Sequence, residues 1–73
     1  MYYSIIQLTE TLNQDAAERL ARKARQCGFP VECLTDGWNL WHVQTKRLDY
    51  VEAFGMFLRM QRKGFRPVML QAS

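Results

Sequence analysis

The feature that most constrains this chain is an internal echo. Gln7 to Gly28 spans 21 positions and Gln44 to Gly64 spans 20. After each glycine the chain reads Gly28-Phe29-Pro30-Val31 and Gly64-Phe65-Arg66-Pro67-Val68. Each half therefore reads as strand, helix, glycine stop, strand. One such unit cannot bury its own apolar face, so the two must share a sheet. Right-handed crossovers with the first and third strands central predict an α+β, ferredoxin-like β-α-β-β-α-β sandwich. Its four-stranded antiparallel sheet carries two helices on one face and leaves the other open. The 73 residues hold one core, so residues 1–73 read as a single domain.

Local signals place the elements. Tyr2 to Leu8 is β-branched and aromatic and reads as a strand. Asn13 is a helix cap, after which Ala16, Ala17, Leu20, Ala24 and Cys27 repeat with helical period until Gly28. Phe29 to Leu34 forms the second strand, and the Thr35-Asp36-Gly37 turn leads into a third, Trp38 to Thr45. Asp49 and Glu52 make a capping box. Tyr50, Val51, Phe54, Phe57, Leu58 and Gln61 line one face of the second helix, Gly64 ends it, and Phe65 to Gln71 is the last strand. Ala53, Met56 and Met60 widen that apolar stripe beyond what one core needs, which marks Met56 and Met60 as a partner surface.

Charge and cysteine placement exclude several classes. The net charge is +3, but Arg19, Arg22, Lys23, Arg25, Arg59, Arg62 and Lys63 all fall late in the two helices. Asp15, Glu18, Asp49 and Glu52 fall early. A helix macrodipole favours that arrangement, which competes with a phosphate-binding surface as its explanation. Two cysteines make neither a disulfide framework nor a four-ligand zinc site. Cys27 is expected as a buried thiol on the first helix stripe, and a Cys27–Cys33 bridge would need an oxidising compartment. No run approaches the roughly 20 apolar residues of a membrane span, and residues 1–8 do not form a secretory signal. With Met1 as the start, the expected location is cytoplasmic, and periplasmic only for a domain excised from a longer protein.

Function is expected on the uncovered side of the sheet. Side chains alternate across a strand, so Ile6 and Leu8 facing the helices would turn Tyr3, Ile5 and Gln7 outward. Trp41 and Val43 packing inward would turn Leu40, His42 and Gln44 outward beside them, with Trp38 at the strand start. Apolar planes ringed by amides and an imidazole suit a sugar, a nucleobase or a protein surface. The competing expectations are a one-residue slip that buries these groups and a homodimer through the open sheet. His42 is the sole histidine and has no Ser, Cys or carboxylate placed by spacing as its partner, so no catalytic residues are assigned. Nor does any spacing suggest a metal or another cofactor.

Several motifs are similar to one family. Gln7-Leu8-Thr9-Glu10-Thr11-Leu12-Asn13-Gln14-Asp15-Ala16-Ala17-Glu18-Arg19-Leu20 resembles the opening of SPOR domains, where a strand Gln precedes a helix beginning Asn-x-x-x-Ala-Glu-x-Leu. Cys27-Gly28-Phe29-Pro30-Val31, Trp41-His42-Val43-Gln44, Val51-Glu52-Ala53 and Lys63-Gly64-Phe65 continue the likeness. The Gly-Ser-Phe turn common after the Gln is here Thr9-Glu10-Thr11, and the Gly-Pro-Phe after the third strand is here Lys46-Arg47-Leu48. The resemblance implies a non-catalytic module that binds denuded glycan strands of bacterial peptidoglycan, often at the division septum, with Gln7 as a binding-strand residue and His42 and Gln44 beside it on the sheet. Two other readings stay open. One is a small, phage-like intracellular protein that docks on a host protein. The other is single-stranded RNA binding on the sheet, disfavoured because Trp38–Thr45 lacks a Lys/Arg-Gly-Phe-type motif.

Overall fold

A computed structural model describes residues 3–72, in the element order β1 (Tyr3–Thr11), α1 (Gln14–Gln26), β2 (Val31–Thr35), β3 (Trp41–Thr45), α2 (Tyr50–Arg62) and β4 (Val68–Ala72). Tyr2, expected to begin the first strand, lies outside the described residues. The strands form one sheet in the order β2-β3-β1-β4, every neighbour antiparallel. This is the expected α+β architecture, with β1 and β3 at its centre.

The helices begin where their caps dictate. Asn13 Oδ1 accepts from the Ala16 N–H at 3.0 Å, and Asp49 Oδ1 accepts from the Glu52 N–H at 2.8 Å. Each satisfies a donor that the first helical turn leaves free. At the other ends Gly28 and Gly64 adopt φ of 90° and 92°, a left-handed conformation that glycine enters without steric cost. The Phe29 and Phe65 N–H groups then return to the Ala24 and Met60 carbonyls, each at 3.0 Å. The two phenyl rings meet edge to face at 5.9 Å.

The sequence echo is a structural pseudo-symmetry. Gln7 pairs with Gln44 across β1 and β3, and each lies just ahead of its half's helix. The register shifts between Gln7 and Thr9, where β1 carries a bulge. That residue accounts for the longer first half, because both halves run 15 positions from N-cap to glycine. Equivalent helix positions face the core: Ala17 with Ala53, and Ala24 with Met60, all four fully buried. Ile6 and Val43 rise to meet them from the central strands, also fully buried.

Four expectations need correction. Met56 and Met60 are core residues, 6% and 0% exposed, and not a partner surface. The side of α2 left outside is instead Tyr50, Val51, Phe54 and Leu58. Cys27 is exposed, because the chain has already turned at the helix C-cap and leaves the apolar stripe there. Cys33 is half-buried against the core, and both cysteines are free. β3 begins at Trp41 and β4 at Val68, each three residues later than expected. Asn39, at φ 64°, breaks the extended run ahead of β3, and Pro67 supplies no ladder N–H ahead of β4.

Two predictions follow from this core. Met60→Ala should lower unfolding free energy by about 2–5 kcal/mol in a denaturant titration, whereas Arg59→Ala, a change at an exposed position of the same helix, should cost less than about 0.5 kcal/mol. Equal effects would contradict the assigned helix orientation. Burial raises the Cys33 thiol above its ordinary pKa, and Glu18 adds to the rise while Arg25 opposes it. A raised pKa leaves less reactive thiolate at any pH below it. Native protein at mildly alkaline pH should therefore be alkylated at Cys27 before Cys33, read by peptide mass spectrometry.

Candidate functional site

The uncovered face is built by the pleat of the two central strands. Ser4, Ile6 and Leu8 are buried under the helices, so Tyr3, Ile5 and Gln7 alternate onto the open side. On β3, Val43 and Thr45 are buried, and His42 and Gln44 alternate outward. The structure thus brings Tyr3, Ile5, Gln7, His42 and Gln44 onto one surface. Leu40 sits just ahead of β3, its carbonyl accepting from the Asp36 N–H at 3.3 Å. Trp38 does not lie on the sheet. It occupies the β2–β3 loop, 84% exposed, where its backbone N–H donates to Asp36 Oδ1 at 2.8 Å.

Hydrogen bonds join Glu10, Gln7 and His42 into a line, and the Asp36 carboxylate stands near its end. Gln7 Nε2 lies 2.9 Å from His42 Nδ1 and donates to Glu10 Oε2 at 3.5 Å. On the far side of the ring, His42 Nε2 stands 4.0 Å from Asp36 Oδ2. An amide N–H can only donate, so Nδ1 accepts and the neutral ring carries its proton on Nε2, facing Asp36. The β1 bulge makes this line. It moves Glu10 opposite His42, where an unbroken ladder would have placed Thr9.

The remaining face residues come from the edge strands, and sequence reading missed them. Glu32 and Leu34 of β2 pair with Gln44 and His42. Val68 and Leu70 of β4 pair with Gln7 and Ile5. The face consequently has two halves. Tyr3, Ile5, Val68 and Leu70 form an apolar half, while Gln7, Glu10, Glu32, His42 and Gln44 form a polar one. Hairpin counting back from Thr35 could have found Glu32 and Leu34. Glu10 could not be found, because a bulge has no sequence mark here.

Charge divides between the two sides of the molecule. No Lys or Arg occurs in any of the four strands, whereas Glu10 and Glu32 lie on the open face and Asp36 at its rim. The cations sit on the helices and connecting segments. Three of them, Arg59, Arg62 and Lys63, line a cleft of about 320 Å³ on the helical side with Cys27, Gly28, Phe29 and Met56. An acidic open face repels phosphate, which weighs against sheet-bound RNA. Among the described residues no group of three or more His, Cys, Asp or Glu side chains is placed to hold a metal ion, and no helix is long and apolar enough to cross a membrane.

Comparison with known proteins gives one strong structural likeness. No family model matches the chain, and no curated protein does. Among solved structures, the chain is similar to the peptidoglycan binding domain of the B. subtilis cell wall lytic enzyme CwlC. The TM-score is 0.85 with 22% identity, over 100% of this chain and 92% of that one. At this identity the likeness establishes the shared fold.

The His42 tautomer is directly testable. Long-range ¹H–¹⁵N spectra of the neutral imidazole should show protonation on Nε2, and Gln7→Ala should mix the two tautomers. A dominant Nδ1–H form in the unmodified protein would refute the hydrogen-bond line.

Proposed function

We propose that the chain is a non-catalytic module of SPOR type that binds peptidoglycan glycan strands across the open sheet face. The observation carrying this reading is the line Glu10–Gln7–His42–Asp36 beside an apolar floor. A pyranose ring offers both an apolar C–H face and a rim of hydroxyls and amides. Tyr3 and Ile5 supply a surface for the former, and Gln7, His42, Gln44 and Glu10 supply donors and acceptors for the latter. The whole-chain likeness to a domain that binds peptidoglycan supports the same reading. The protein would then work at the cell wall. Trp38, exposed on its loop beside Asp36, is a further candidate for stacking on sugar.

A cationic face would be needed to rival this with nucleic acid, and among the described residues the charged groups of the open side are the carboxylates of Glu10 and Glu32. The test is co-sedimentation with amidase-treated sacculi. The protein should pellet with them, and Gln7→Ala with His42→Ala should weaken binding at least tenfold, the equivalent of losing about 1.4 kcal/mol from two hydrogen-bonding groups. Protein left entirely in the supernatant would end the proposal.

A further inference from the structure

The pseudo-symmetry offers an internal control for what the fold itself requires of its helices. Counted from their caps, Tyr50, Val51, Phe54 and Leu58 of α2 stand where α1 has Gln14, Asp15, Glu18 and Arg22. The α1 residues are polar and exposed, as solvent demands. Their α2 counterparts are apolar and exposed by 59%, 81%, 48% and 38%. Tyr50 and Phe54 stack on each other at 6.1 Å without entering the core. One fold position in two copies, solvated in one and greasy in the other, means that folding does not explain the stripe.

The sheet edges differ in the same direction. On the β2 edge the Arg25 Nε donates to the Val31 carbonyl at 3.1 Å, and Glu32 adds a charge. Both are devices that keep an edge strand from pairing with another chain. At the opposite edge β4 pairs only with β1, carries no charged residue, and shows no side-chain hydrogen bond to its backbone among the described residues. α2 packs chiefly against β1, and its Met56 and Arg59 line the cleft beside the end of α1, so the stripe on the opposite flank of the helix faces this unguarded edge.

We infer that β4 and the exposed stripe of α2 together form a homodimer interface. The partner is a second copy of this chain, paired antiparallel β4 to β4 about a twofold axis. The arrangement makes one eight-stranded sheet, doubled from the four strands of each copy. Each α2 stands above its own β1, so the two helix axes lie three strand spacings apart, roughly 14 Å. Direct helix contact needs about 8–10 Å, and Tyr50 and Phe54 from both copies fill the difference. Val68 and Leu70, on the open side of β4, meet their own copies across the new ladder, and the stripe exposes on the order of 400 Å² of apolar surface per copy. Ladder backbone and flanking side chains bring that toward the ~800 Å² per partner of a standard interface. Pairing two uncharged patches also keeps the cations of α1 apart. The open face is extended across the seam at Val68 and Leu70 and its centre at Gln7 and His42 is left uncovered, so this inference stands whether or not that face binds glycan.

Sedimentation equilibrium over a wide concentration range should show a dimer for the unmodified protein. Val51→Glu with Phe54→Glu should raise the dissociation constant at least about 30-fold, a hot-spot loss, while far-UV circular dichroism stays unchanged. Leu34→Arg, on the open face at the far edge, should leave the dimer intact. If the paired variant does not fold, Val51→Glu alone carries the test. An unmodified protein that stays monomeric throughout overturns the inference, as does a dimer that survives the α2 substitutions or is lost instead through Leu34→Arg.

Discussion

Everything in this molecule follows from which way the two central strands present their pleat. Ile6 and Val43 are fully buried, and the residues beside them in sequence, Gln7 and His42, are thereby fixed on the opposite surface. A strand has a side-chain period of two, so no intermediate solution exists. The Ile6 N–H donates to the buried Thr45 hydroxyl at 3.0 Å, which satisfies a backbone donor just past the Gln7–Gln44 pair, where the β1–β3 ladder ends. That bond ties the polar line on the outside to a core contact on the inside.

The bulge shows how a small departure from symmetry makes a site. The two halves repeat the same cap, helix and glycine stop, and their glutamines pair across the pseudo-axis. One inserted residue in β1 then breaks the equivalence and sets Glu10 against His42. The same divergence appears in the helices. α1 is solvated at the positions where α2 is apolar, and Arg25 and Glu32 guard one edge of the sheet where nothing guards the other. Duplication gives the frame, and the departures from it give the chain distinct surfaces.

Electrostatics reinforces this division. Basic residues gather toward helix C-termini, where the macrodipole favours them, and the strands contain none. The net positive charge therefore says little about the sheet, whose own charges are Glu10 and Glu32. A reading based on the total alone would have given that face the wrong sign of charge.

What the sequence determined by itself was local or periodic: both helix caps, both glycine stops, the strand–helix order and the alternation that put Gln7 and His42 together. Caps and left-handed stops depend on a few neighbouring residues, and the pleat depends only on spacing, so these are legible without coordinates. The tertiary structure alone decided three things. Met56 and Met60 went inward and Tyr50 and Phe54 outward, because the apolar arc of α2 is wider than the sheet can cover and periodicity does not say which part is covered. Trp38 left the strand, since a left-handed Asn39 outweighed the aromatic's preference for extended backbone. Glu10 reached His42 only through a shift in strand pairing, which joins residues 32 positions apart and has no local sign.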